Sequence, residues 1–288
     1  MNPGRFTVVN AQLLTDNGGM VIRRSILARE KAGLGIVAVF ALAMLATSCG
    51  GTEGDAPRSE AQPEPPQEIR ISVTDESYEM PGELESEPVS LTLQNEGKQV
   101  HRAYFARLNQ GVTTKEVRSA LSTSPDKLFL LITIAGSMPE IEPGASSENG
   151  MLFPEGEYVV IDPEVKGPPP VGFFTVSPAS GPDVAEPEAD YSIEAGDFYF
   201  EVPDPSPGEA TVEITNVGNQ SHEVGIGRKG VKGEGAEVTT VFAPAPGGKM
   251  WTTVTLEPGD YTLVCFLPDP KTGKTHANLG MKQDFSVE

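Results

Sequence analysis

Three histidines and two cysteines are all the imidazoles and thiols in this 288-residue chain. The cysteines, Cys49 and Cys265, lie in unrelated contexts, which excludes a disulfide framework. Basic side chains are also scarce, with 21 Lys and Arg against 41 Asp and Glu and a net charge of −20. A surface of that sign repels nucleic acid and anionic head groups, so no nucleic-acid partner is expected. The longest apolar run, residues 32–46, is about 15 residues, short of the roughly 20 that span a bilayer. No glycine-rich phosphate loop follows a strand, and no Ser-His-Asp set has a defensible spacing, so no small-molecule substrate is implied. Aromatics make up 7% while Gly is 31 and Pro 26. That balance suits turn-rich β structure plus linkers better than a helical protein.

What is present begins with an export segment. Arg23, Arg24, Arg29 and Lys31 precede the apolar run, and T-S-C-G-G follows it. A basic stretch, a short apolar core and small residues before the cut predict a signal peptide over 1–48. The L-A-T-S-C ending resembles a bacterial lipobox, with Ala46 standing one place after the leucine. The resemblance implies that Cys49 is lipidated and becomes the new N-terminus. The expected location is therefore the extracytoplasmic side of the cell membrane, through a lipid anchor. R-R-S-I-L partly resembles a twin-arginine signal, and Met20 opens a more compact leader, so residues 1–19 read as a mis-assigned start. Without residues 1–48 the chain carries 16 basic and 39 acidic side chains, a net −23. Residues 49–67, rich in Pro, Glu and Gly, read as a disordered stalk.

The remainder repeats itself. L-T-L-Q-N-E-G-K-Q-V-H at 91–101 matches V-E-I-T-N-V-G-N-Q-S-H at 212–222. Each is an alternating strand followed by N-x-G-x-Q-x-H, in which Asn and Gly supply the turn. P-E-G-E-Y-V-V-I-D at 154–162 matches P-G-D-Y-T-L-V-C at 258–265, and the copies end alike in F-F-T-V and D-F-S-V. Two domains follow, 68–178 and 188–288, with an acidic Pro-containing linker at 179–187. Many short strands with turns between them predict an all-β fold of two Greek-key sandwiches in tandem. The first copy adds V-T-T-K-E-V-R-S-A-L-S, where Thr113 and Glu116 form a capping box for a short helix with Val117 and Leu121 on one face. A second short helix is expected from Ser124-Pro125. The second copy has a loop over 228–235 instead.

Chemistry concentrates in the second copy. Tyr261, Leu263 and Cys265 alternate on one strand, so Cys265 ends it at the rim of the core. A loop then presents His276, turns at Gly280 and presents Met281, and His222 stands just after another core strand. Two imidazoles, a thiolate and a thioether form the ligand set of a blue-copper electron-transfer site.

Here N-x-G-x-x-x-H-E, L-x-P-G-x-Y-x-L-x-C and H-x-x-x-G-M-x-x-x-F-x-V together resemble the cupredoxins, the family of plastocyanin and its relatives, over roughly 100 residues. The resemblance implies His222, Cys265 and His276 as strong ligands of one type 1 copper ion, with Met281 as the weak axial one. It also implies a supporting role for Asn216 and Glu223, whose turn and backbone tune the sulfur, and an electron port at an exposed loop around His276. Ten residues separate Cys265 from His276, more than the few usual in plastocyanin-type loops. In the first copy His101 matches His222, but Asp162 stands at Cys265 and Pro170 at Met281, so a metal-free structural module is expected. The expected function is a membrane-anchored one-electron carrier with an unidentified redox partner protein. A copper-carrying or sensing lipoprotein and a metal-free interaction lipoprotein are the alternatives. Only His101 remains after a type 1 site takes two histidines, and no H-x-H pair occurs, so an enzyme is not expected.

Overall fold

The computed structural model describes residues 63–231 and 237–288, and Pro63–Glu288 falls within one compact unit. The expected signal peptide, the lipidation site Cys49 and most of the 49–67 stalk lie outside the described residues. None of the described helices is long and apolar enough to cross a membrane.

Seventeen strands are described. The first half holds β1 (Gln67–Val73), β2 (Tyr78–Glu79), β3 (Glu83–Glu85), β4 (Val89–Asn95), β5 (His101–Leu108), β6 (Ile132–Ile141), β7 (Ser146–Leu152), β8 (Gly156–Ile161) and β9 (Val171–Ser177). The second holds β10 (Tyr191–Gly196), β11 (Tyr199–Glu201), β12 (Gly208–Asn216), β13 (Glu223–Arg228), β14 (Glu237–Phe242), β15 (Lys249–Leu256), β16 (Gly259–Val264) and β17 (Lys282–Val287). The fold is an all-β sandwich. Alternation explains the strands: in β4, Val89, Leu91, Leu93 and Asn95 point inward, and in β12 Val212, Ile214 and Asn216 do. A fully buried Leu or Ile of this kind contributes roughly 1.5–3 kcal/mol.

One eight-stranded sheet, in the order β2-β1-β4-β7-β15-β12-β10-β11, runs through both halves. A five-stranded sheet, β3-β9-β8-β5-β6, faces it in the first half, and a four-stranded sheet, β14-β13-β16-β17, in the second. The chain passes from β4 into the other layer for β5 and β6 and returns for β7, a Greek-key crossover. The strand order of one half repeats in reverse in the other, so a pseudo-two-fold axis lies at the β7–β15 junction. Met151 pairs with Met250 there, and Thr252 Oγ1 donates to Asn149 Oδ1 at 3.2 Å. Each half thereby protects the other's edge strand.

The halves meet again where β6 and β14, the outer strands of the two smaller sheets, come together. The first half alone carries α1 (Thr114–Thr123), capped as the sequence indicates. Glu116 N donates to Thr113 Oγ1 at 3.3 Å, and Glu116 Oε2 accepts from Thr113 N at 2.9 Å. A 3-10 turn follows over Pro125–Leu130. The stretch read as a linker is held at residue 184 by a bridge to Glu64, with Ala185 N donating to Glu64 O at 2.7 Å.

Candidate metal centre

The residues that the sequence singles out meet at one end of the second half. Asn216 ends β12, and its amide organises the turn that follows. Nδ2 donates to Gln220 O and Pro244 O, both at 2.9 Å, and Oδ1 accepts from Gly218 N at 2.9 Å. The turn delivers His222 immediately before β13. Gly218 is required by space: a Cβ there would stand 2.5 Å from Asp197 Oδ1 and 2.8 Å from His222 Nε2. Gly97 has the same surroundings in the first half, against Asp75 and His101, which gives the repeated N-x-G-x-Q-x-H its physical meaning.

Cys265 follows β16. Its Sγ accepts from Glu223 N at 3.3 Å, and its carbonyl accepts from Ala277 N at 2.7 Å. The ten-residue loop closes on itself. Pro268 bridges Thr275, Asp269 N donates to Lys274 O at 2.8 Å, and Asp269 Oδ2 accepts from Thr272 N and Oγ1. The extra residues are thus extruded as a small hairpin, and the chain re-enters where His276 N donates to Leu267 O at 2.8 Å. Thr275 then caps a 3-10 turn, His276–Leu279, which Gly280 ends at φ 113°. Met281 comes next, fully buried. Its N–H donates to His276 O at 2.9 Å and its carbonyl accepts from Cys265 N at 3.3 Å.

His222 Nδ1 and His276 Nδ1 stand 3.2 Å apart, and Cys265 Sγ is 3.4 Å from His276 Nδ1. One donor atom from each of the three lies within 4.8 Å of the others, and the side chains are buried. Burial shapes their chemistry. It pushes the Cys265 thiol up to about 12 and His222 down to about 4, with the neighbouring His276 adding to the latter. Burial also lowers His276. The imidazoles are therefore neutral with lone pairs free near pH 7, and the sulfur ionises there only with a cation to balance it. Two nitrogen lone pairs and a sulfur converging in a dry pocket fit a soft transition metal, and thiolate with imidazole suits copper. Glu223 is buried too. Its carboxylate accepts from Phe266 N at 3.1 Å, and burial raises its pKa, so it braces the strand end that carries Cys265.

Two features depart from the sequence reading. His276 is 1% exposed rather than part of an open loop. The ring of Phe198 stands edge-on to it, with centroids 5.2 Å apart and planes at 85°. Phe198 is the one non-glycine residue with positive φ, 71°, among the described residues. Asp197 also went unnoticed in the sequence. Its Oδ1 is 3.4 Å from His222 Nε2 and accepts from Asn219 N at 2.9 Å. Comparing the repeats could have found it, because Asp75 occupies the matching place beside His101.

In the first half, carboxylates surround the matching histidine. His101 Nδ1 is 3.0 Å from Asp162 Oδ2 and Nε2 is 3.1 Å from Asp75 Oδ1, with His101 and Asp162 both buried. Asp162 further accepts from Arg102 N and Glu164 N. Both ring nitrogens of His101 are engaged by oxygen, so a hydrogen-bonded triad fills the place that the three donors fill in the second half.

No protein-family model and no curated relative matches the chain. Solved structures do. A dithionite-reduced auracyanin from Roseiflexus castenholzii matches at 20% identity, covering 40% of this chain and 99% of its own, with a TM-score of 0.27. A blue copper oxidase from Nitrosomonas europaea matches at 13% identity over 77% of this chain and 86% of its own, TM-score 0.25. A copper-containing nitrite reductase from Thermus scotoductus matches at 14% identity over 77% and 60%, TM-score 0.23. The sequence reading set enzymes aside. That exclusion does not stand, because a blue copper oxidase and a copper-containing nitrite reductase are among the matching structures.

Proposed function

We propose that the protein is a cupredoxin-like, type 1 copper protein, in which His222, Cys265 and His276 would hold one copper ion and the Met281 thioether would be a weaker fourth ligand. In this reading it acts as a one-electron carrier, held outside the cell membrane by lipid on Cys49, and exchanges electrons with a redox partner protein. The observation that carries the reading is the convergence of two imidazole nitrogens and one thiol sulfur, all buried, within 4.8 Å. Bound copper supplies a centre that alternates between Cu(I) and Cu(II).

The chain's own residues support that role. The Glu223 N–H is aimed at Cys265 Sγ, a contact that stabilises negative charge on sulfur. The closed Pro268–Thr275 hairpin and the Asn216 turn fix both histidine-bearing segments, so little has to move when charge changes. Phe198 keeps water from His276. Burial of all three donors favours electron transfer over metal delivery, because a carrier must expose its ligands to a recipient.

The test titrates Cu(II) into the purified protein beginning at Cys49. One copper per chain is expected, with an intense thiolate-to-copper band that disappears in Cys265→Ser. Absence of the band, or its survival in that variant, overturns the reading. For the anchor, wild-type protein expressed in a bacterial host should incorporate a labelled fatty acid, and Cys49→Ser should not.

A further inference from the structure

The copper reading leaves the first half of the molecule without a task. We infer that the first half positions the metal centre: Ile134 holds the segment at Ser221, beside His222, and Ser137 and Tyr104 together hold Phe242, the strand partner of Glu223. This inference rests on the reading of His222, Cys265 and His276 as ligands.

Each segment has a contact of its own. Ser221, directly before His222, donates from Oγ to Ile134 O at 3.1 Å. Phe242 is paired with Glu223 across β13 and β14, and Glu223 N is the donor to Cys265 Sγ. Phe242 N in turn donates to Ser137 Oγ at 3.0 Å, with Ser137 buried. The Phe242 ring packs edge-on against Tyr104, centroids 5.3 Å apart, within a cluster otherwise made of first-half side chains apart from Leu267. Leu267, whose carbonyl receives His276 N–H, packs against that cluster as well. Thus the segments of His222 and of Glu223, the donor to Cys265, lean on the first half through hydrogen bonds, and Leu267 joins the cluster that Phe242 shares with the first half.

The first half is braced to bear this load. Tyr104 is fixed at its hydroxyl, which donates to Glu164 Oε1 at 2.7 Å and accepts from Arg102 Nη1 at 2.6 Å. Its strand, β5, begins at His101, pinned between Asp162 and Asp75. A copy that holds carboxylates where its sister holds donors can therefore still serve the metal site, as a rigid abutment. Outer contacts of this type orient ligands and tune a bound metal.

The experiment uses the full mature protein. Ser137→Ala removes the acceptor for Phe242 N, and Tyr104→Leu removes the ring packed on Phe242. Phe174→Leu, in the first half's aromatic core beside Phe105, Phe153 and Tyr158, is the control for general loss of stability. Three readouts are taken: the copper hyperfine splitting in electron spin resonance, the Cu(II)-to-Cu(I) ratio at the wild-type midpoint potential, and exchange of the His276 amide in copper-free protein. Ser137→Ala and Tyr104→Leu should change the splitting, move the ratio at least threefold and speed the exchange, while Phe174→Leu leaves the splitting and ratio unchanged. Should Tyr104→Leu fail to fold, Ser137→Ala decides alone. Wild-type splitting and ratio in Ser137→Ala overturn the inference while the copper reading survives. A wild type lacking the thiolate-to-copper band overturns both.

Discussion

Replacing His101 by Leu tests what the buried Asp75–His101–Asp162 triad contributes to the first half. The imidazole is fully buried and is the side-chain partner of Asp162, itself 2% exposed. Removing one member of a buried ionic or hydrogen-bonded pair costs about 3–5 kcal/mol, because the other is left without its partner. For a described fold of this size each kcal/mol moves the melting temperature by roughly 2–4 °C, so a drop of about 10 °C is expected. Adding Asp162→Asn to that background removes the stranded charge and should restore part of the loss, although Arg102 N and Glu164 N still need an acceptor. The pH dependence has a definite sign. Burial raises the Asp162 pKa in the wild type, and losing the lowering contact from His101 raises it further. An acid whose folded pKa exceeds its unfolded value contributes stability below the unfolded pKa and loses it as pH rises through the folded one. The deficit of His101→Leu should therefore shrink on acidification toward the carboxylate range, and that of the double variant should not. Urea unfolding followed by circular dichroism from pH 4 to 8 measures this. A cost below about 1 kcal/mol, or a double variant as unstable as the sum of its parts, refutes the reasoning.

Three further predictions concern the second half. In copper-free protein His222 is held neutral, with its pKa lowered to about 4, so the unfolded chain binds more protons between pH 6.5 and 4. Stability should fall by about 2 kcal/mol from pH 7 to pH 5 through this group, and His222→Gln should flatten the slope of urea midpoint against pH. Gly218→Ala forces a Cβ to 2.8 Å from His222 Nε2, and overpacking of this kind costs about 1–3 kcal/mol. It should also weaken copper affinity measured by competition with a chelator, whereas Gly181→Ala, with no atom within 4 Å of the added Cβ and far from the site, should leave affinity unchanged. Phe198→Gly relieves a strained φ of 71° but uncovers His276. It should speed electron exchange with a small inorganic reductant in stopped-flow measurements, and an unchanged rate would show that the ring does not screen the site.

Much of the architecture was legible because it is local. Alternation in Leu91–Leu93 and Val212–Ile214 marks strands, Thr113 and Glu116 mark a helix start, and Asn216 with Gly218 marks the turn before His222. The order of Cys265, His276 and Met281 on a strand, loop and strand was legible for the same reason. What was hidden depends on approaches between distant residues. Gly150 and Trp251 join the halves into one sheet, and nothing in either strand names the other as its partner. Phe198 covers His276 from a turn 78 positions earlier, so the loop's own sequence gave no sign that the imidazole is buried. Asp197 is reachable only by aligning it with Asp75. The ten-residue gap raised doubt because length alone does not say whether a loop spreads or closes. Asp269 and Thr272 close it.

The most direct measurement is the visible absorption and electron spin resonance spectrum of the purified protein loaded with one equivalent of Cu(II). An intense thiolate-to-copper band with a narrow copper hyperfine splitting is predicted, both lost in Cys265→Ser. A weak, colourless-to-pale spectrum with the wide splitting of ordinary cupric complexes, unchanged in Cys265→Ser, would contradict the assignment of His222, Cys265 and His276 as a blue-copper centre.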